Sequence, residues 1–154
     1  MKKISFFENA KLLYRKFGII PLMYGSLGLE YVTNVSLDVD DVDILIPEAF
    51  VREKWNEFKS FLEKEGYALI DEHEHTFKKN EVLYSYASLE ELEDFAGIKL
   101  SDIERRIDSG AEFYVLSPRQ YLKVYKKSYE DGYRITVRKK KDKEKITFIE
   151  SIIF

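Results

Sequence analysis

The stretch Asp41-Val42-Asp43-Ile44-Leu45-Ile46 constrains this chain more than any other. In extended backbone, side chains alternate faces, so Asp41, Asp43 and Leu45 share one face and Val42, Ile44 and Ile46 the other. An acidic pair on a strand otherwise built of Val, Ile and Leu is costly unless it is solvated, paired or bound to metal. Fifteen residues before Asp41 lies Ser26, at the end of Met23-Tyr24-Gly25-Ser26. A Gly-Ser turn between a buried strand and a helix leaves backbone N–H groups unpaired. Glycine lets a phosphate approach the backbone, and the helix N-terminus favours the anion. Two aspartates at i and i+2 can in turn share Mg²⁺, which suits phosphoryl or nucleotidyl transfer.

Patterning around these segments predicts a mixed α/β architecture. Phe6, Ala10, Leu13 and Phe17, with Phe7 and Tyr14 beside them, place a helix over 5–17, with Ser5 and Glu8 as its capping box and Gly18 at its end. A short strand follows over 19–24, then a short helix, then the acidic strand over 41–46. Pro47 and Glu48 open a long helix that Gly66 ends, with Val51, Trp55, Phe58 and Leu62 as its stripe. Strands are expected at 67–71, at 75–77 with 82–87, and at 103–107 with 112–116, the last two pairs as hairpins. A short helix over 88–95 is capped by Ser88. Ser117-Pro118-Arg119-Gln120 is a capping box opening a helix to about 128, and a last helix runs over 142–153 with Ile146, Ile149 and Ile153 inward. The reading is a single domain over 1–154, a mixed sheet with helices packed on it, in which 117–154 form a helical C-terminal portion.

Composition excludes several classes. The chain has 154 residues, of which 45% are hydrophobic and 34% charged, so neither disorder nor a fibre is expected. With no cysteine there are no disulfides, thiolate zinc sites or cysteine nucleophiles. No apolar run is long enough to span a membrane and the first residues do not read as a secretory signal, so the expected location is the cytoplasm. Charge is uneven: residues 119–145 carry eleven Lys and Arg against four Asp and Glu, within a chain of net charge −3. The basic quarter faces an acidic body. That balance suits internal pairing, or a phosphate ligand held between metal-binding acids and phosphate-binding bases, better than a dedicated nucleic-acid module.

The combination of Gly25, Ser26, Asp41 and Asp43, with helix, strand, Gly-Ser, helix, acidic strand and helix in that order, resembles the nucleotidyltransferase superfamily. Within it, the chain is similar to the branch of antibiotic adenylyltransferases and abortive-infection toxins. The C-terminal part looks like that branch through Ser117-Pro118, Lys126 (with Lys123 and Lys127 as rivals), Arg138 and Lys141-Asp142. The resemblance implies a nucleotidyltransferase-like mixed sheet and Mg²⁺-dependent transfer of a nucleoside monophosphate from ATP or another NTP to a hydroxyl. Asp41 and Asp43 would hold the metal and carry catalysis. Gly25 and Ser26 would cradle the triphosphate, and Lys126 or Lys141 would neutralise its charge. The acceptor, a small molecule, a tRNA end or a protein, is left open. Active members add a third carboxylate from a later strand. Here the strand Val82–Ala87 carries Ser85 and tyrosines, with Glu81 before it and Glu90 beyond it. The alternative is therefore a catalytically degenerate module that binds a nucleotide or a partner, and a third option is a plain interaction domain.

Three further features take ordinary readings. Asp38 and Asp40 read as solvated loop acids, because the calcium-loop pattern fails at Asp43 and Ala49. His73 and His75 read as a polar strand end without a third zinc ligand. Tyr121, Tyr125, Tyr129 and Tyr133 recur along one helical line and read as a packing stripe; Tyr84 and Tyr86 on their strand have the same choice between packing and stacking a base.

Overall fold

The structure is a computed structural model that describes residues 2–130 and 136–153, the side chains of 136–139 excepted. The chain runs through α1 (Lys2–Phe17), β1 (Leu22–Tyr24), α2 (Gly25–Thr33), β2 (Val42–Ile46), α3 (Trp55–Lys64), β3 (Ala68–Asp71), β4 (Thr76–Lys79), β5 (Val82–Ser88), α4 (Glu91–Ala96), β6 (Glu104–Asp108), β7 (Ala111–Val115), α5 (Pro118–Glu130) and α6 (Thr136–Ile153). Seven strands form one mixed sheet in the order β3-β4-β5-β2-β1-β7-β6. β2 is antiparallel to β1 and parallel to β5, and β1 is parallel to β7. The acidic strand is thus central, with ladder partners on both sides. Among the described residues no helix is long and apolar enough to cross a membrane.

Alternation along the strands divides the core in two. Val42, Ile44 and Ile46 join Met23, Tyr86 and the aromatic side chains of α1 and α3, among them Phe6 and Phe58, in one cluster. Edge-to-face contacts such as Phe6–Phe113 at 5.3 Å and Phe58–Tyr86 at 5.1 Å tile it. On the other face, Leu22 and Leu45 pack with Leu92, Tyr121, Leu122, Val124 and Ile149 beneath α4, α5 and α6. Ile146 and Ile153 pack partly buried against this second cluster, so the inward stripe of the last helix is as expected.

Local signals account for most boundaries. Ser117 and Gln120 cap each other: the Ser117 N–H donates to Gln120 Oε1 at 2.8 Å, and the Gln120 N–H to Ser117 Oγ at 3.1 Å. At the end of α1, the Ile19 N–H reaches back to the Leu13 carbonyl around a left-handed Gly18. Asn80-Glu81 and Ser109-Gly110 take positive φ at both turn positions, the conformation that matches the twist of a two-residue hairpin.

Several expectations fail locally. α1 starts at Lys2, so Ser5 lies inside the helix and does not cap it. Tyr14, placed beside the α1 stripe, is 52% exposed. The expected long helix over 47–66 is a 3₁₀ turn at Glu48–Val51 followed by α3, because the chain bends at 52–54 to seat Phe50 and Val51 against the core. Ser88 ends β5 in register with Ile46 and caps nothing.

α5 is fixed on the sheet at one close approach. The buried Tyr121 hydroxyl donates to the Met23 carbonyl at 2.6 Å. A Cβ on Gly28 of α2 would overlap that hydroxyl and press on the same carbonyl. Gly28→Ala should therefore lower the unfolding free energy by about 1–3 kcal/mol, the usual cost of overpacking. In a Tyr121→Phe background the cost falls but persists, because the Met23 carbonyl stays. Denaturant unfolding of the four proteins in that double-mutant cycle checks it.

Candidate functional site

β1 ends at Tyr24, which lies opposite Asp43 in the antiparallel ladder. Gly25 then opens α2 with φ +64°, a left-handed conformation that favours glycine. A Cβ there would overlap the Asp43 carboxylate, so the backbone of the turn rests directly on the acid. Tyr24, the residue before α2, makes no side-chain cap hydrogen bond to the helix.

The ladders extend this contact into a row across five strands. Tyr24 faces Asp43, Asp43 faces Ser85, Ser85 faces Thr76, and Thr76 faces Asp71. Residues in register share a face of the sheet. At the position beside Asp43 there is thus a hydroxyl and no carboxylate: Ser85 Oγ lies 2.8 Å from Thr76 Oγ1. Glu81 and Glu90 are turned elsewhere, Glu81 to Lys78 and Glu90 to the Glu48 N–H.

A cleft of about 520 Å³ opens over this row. Gly25, Ser26, Asp41 and Asp43 all line it, so four of the six residues singled out in the sequence meet at its floor. Lys141 lines the opposite wall from α6, with its Nζ 3.8 Å from Asp40 Oδ2. Lys126 does not join them: it is exposed on α5, with its Nζ 3.4 Å from Glu150 Oε2. The Arg138 side chain and all of Tyr133 lie outside the described residues. Asp38 and Asp40 are exposed and also border the cleft.

Two groups that the sequence reading named take roles it did not assign. Asp142 is buried on α6, where its carboxylate accepts the Ser128 hydroxyl at 2.7 Å and ties α6 to α5. Its signal was an acid inside a run of lysines. His73, Glu74 and His75 form a turn before β4, where a strand end was expected, and line the same cleft. His75 takes φ +53° and sets its ring 4.5 Å from Trp55. Of the tyrosines, Tyr24 and Tyr125 line the cleft, as do the buried Tyr86 and Tyr121; Tyr129 is exposed, and Tyr84 and Tyr86 pack in the aromatic core of the other face.

Burial, first, and the neighbouring Asp40 carboxylate, second, hold the Asp41 carboxyl above its ordinary range, against a smaller opposing pull from Lys2. A site that crowds anions this way favours a cation. Among the described residues no three His, Cys, Asp or Glu side chains gather closely enough to hold a metal by themselves. Asp41 and Asp43 nevertheless fit Mg²⁺, which is commonly bound by one or two carboxylates together with substrate phosphates.

The mixed sheet, with Asp43 on its central strand and Asp41 just before it, has a nucleotidyltransferase-like fold that solved structures share. The crystal structure of ANT(2'')-Ia in complex with adenylyl-2''-tobramycin matches it with a TM-score of 0.65 and 11% identity, over 100% of this chain and 91% of that one. The solution structure of the antibiotic-resistance factor ANT(2'')-Ia matches with a TM-score of 0.57 and 10% identity, over 98% and 90%. No protein-family model matches the chain. It belongs to the family of the uncharacterized protein YnaI of Bacillus subtilis (strain 168), with 41% identity over 149 residues, 97% of this chain and 96% of that one.

The raised pKa of Asp41 has a stability consequence. A carboxyl whose folded-state pKa lies above its unfolded value binds its proton more tightly when folded, so its ionisation costs stability as pH rises through that window. Asp41→Asn removes this cost. The unliganded variant should melt above the wild type at pH 7, and the difference should vanish below about pH 3, where the unfolded carboxyl is also protonated. Melting curves at the two pH values check it.

Proposed function

We propose that this protein binds a nucleoside triphosphate with Mg²⁺ and transfers its nucleoside monophosphate to a hydroxyl. The observation that carries the reading is the contact between Gly25 and the Asp43 carboxylate, which sets an anion-binding backbone turn against a metal-binding acid. The N–H groups of Gly25 and Ser26 receive the triphosphate at the start of α2. Asp41 and Asp43 hold the metal, and Lys141 exchanges its distant Asp40 partner for phosphate oxygens. Bound there, Mg²⁺ supplies charge neutralisation at the α-phosphate and the leaving group. The acceptor oxygen attacks the α-phosphorus, the bond to the bridging oxygen of the β-phosphate breaks, and pyrophosphate leaves. ANT(2'')-Ia, whose crystal structure holds an adenylylated tobramycin, supports adenylyl transfer as the reaction type.

One observation favours a second reading, binding without turnover: Ser85 stands in register with Asp43 where the superfamily resemblance calls for a third acid. General bases typically contribute about 10²–10⁴ in rate, so an external acceptor would react slowly here.

Calorimetric titration of ATP tests the shared part. Wild-type binding should require Mg²⁺, and Asp43→Asn should weaken it at least about tenfold, or about 1.4 kcal/mol. Lys141→Ala should weaken it less, and Lys126→Ala should leave it unchanged. A wild type that binds no NTP in the presence of Mg²⁺ overturns the reading. Pyrophosphate release then separates transfer from binding alone.

A further inference from the structure

We propose that the acceptor of the transferred nucleotide is this chain's own Ser85. The inference rests on the reading above and goes beyond it by naming the hydroxyl. Ser85 lies on the strand next to Asp43 and in register with it, so its side chain emerges on the same face at one strand spacing, about 4.8 Å. It lines the cleft together with Gly25, Ser26 and both metal-binding acids. Its Oγ is held by a second hydroxyl, Thr76 Oγ1, at 2.8 Å, in a part-buried pair. Thr76 Oγ1 is itself within 3.4 Å of the Glu74 carbonyl, at the edge of the cleft. The position next to the acid therefore presents a nucleophile type, oriented by a hydrogen bond to a neighbouring hydroxyl.

The missing base and this placement fit one another. A third carboxylate earns its place by activating an acceptor that arrives from solution and turns over repeatedly. A hydroxyl fixed in the site reacts once and needs no capture. Well-oriented intramolecular reactions reach effective molarities of about 10⁵–10⁸ M, which offsets the loss of a base. In the step, Ser85 Oγ bonds to the α-phosphorus and the bond to the bridging oxygen of the β-phosphate breaks. Pyrophosphate departs, and the serine proton is released to solvent in the cleft that Ser85 lines. The product is a phosphodiester between Ser85 and the nucleoside.

Intact-mass spectrometry of the full chain tests this after incubation with Mg²⁺ and each of ATP, GTP, CTP and UTP, with ATP calorimetry on the same proteins. Wild type should gain the mass of one nucleoside monophosphate, chelator should prevent it, and fragmentation should map it to Ser85. Ser85→Ala should lose the adduct and keep Mg²⁺-dependent ATP binding, whereas Asp43→Asn should lose both. Ser85→Asp, which supplies a carboxylate and removes the hydroxyl, should also form no adduct. ATP binding by the wild type without any adduct, or an adduct that Ser85→Ala retains, overturns the inference and leaves the functional reading standing. Absence of NTP binding by the wild type overturns both.

Discussion

Everything at the cleft depends on the pairing of β1 with β2. Because Tyr24 lies opposite Asp43, the residue that follows must leave the sheet directly over a carboxylate. Only a residue without a Cβ fits there, and only one at ease with a positive φ can turn the chain into α2 at that point. One position thus meets two requirements, and shifting the ladder by one residue would move the acid to the opposite face of the sheet. The neighbouring strands inherit the register, which is why Ser85 and Thr76 line up with the same acid.

The walls are held separately from this floor. Tyr121 seats α5 on the Met23 carbonyl, one residue before the site-bearing end of β1. Ser128 of α5 then binds the buried Asp142 of α6. Successive helical residues point about 100° apart. With Asp142 turned inward, Lys141 falls at the rim of the cleft, which Lys145 also lines. Lys126 is drawn the other way by Glu150. Which lysine faces the cleft is thereby set by local pairing more than by the overall basic charge of the C-terminal quarter.

The floor of the site was legible in the sequence because its residues obey short-range rules. Period-two alternation around Asp41 and Asp43, a glycine at a strand end, and the Ser117–Gln120 capping box each report on a few neighbours. What was not legible depends on distant partners. The last helix was expected from about residue 142, where its apolar stripe begins, yet it starts at Thr136, since its first turns carry polar and basic residues with no stripe to reveal them. The break between the 3₁₀ turn and α3 is set by how Phe50 meets the core. Ser85 was visible as an absent acid, but its pairing with Thr76 follows only from the β4–β5 ladder.

The central place of β2 in the sheet also governs how the molecule comes apart. Its ladder is closed on both sides, by β1 and by β5, so its amides should exchange with solvent only when the whole sheet opens. The wall that carries Lys141 packs on α5 through Ile149 and the Ser128–Asp142 hydrogen bond, and the turn that carries Glu74 joins strands without being in a ladder itself. Mild heating or dilute denaturant would loosen these elements before β2 opens, because no strand ladder holds them. Loss of ligand grip and loss of fold would then be separate events.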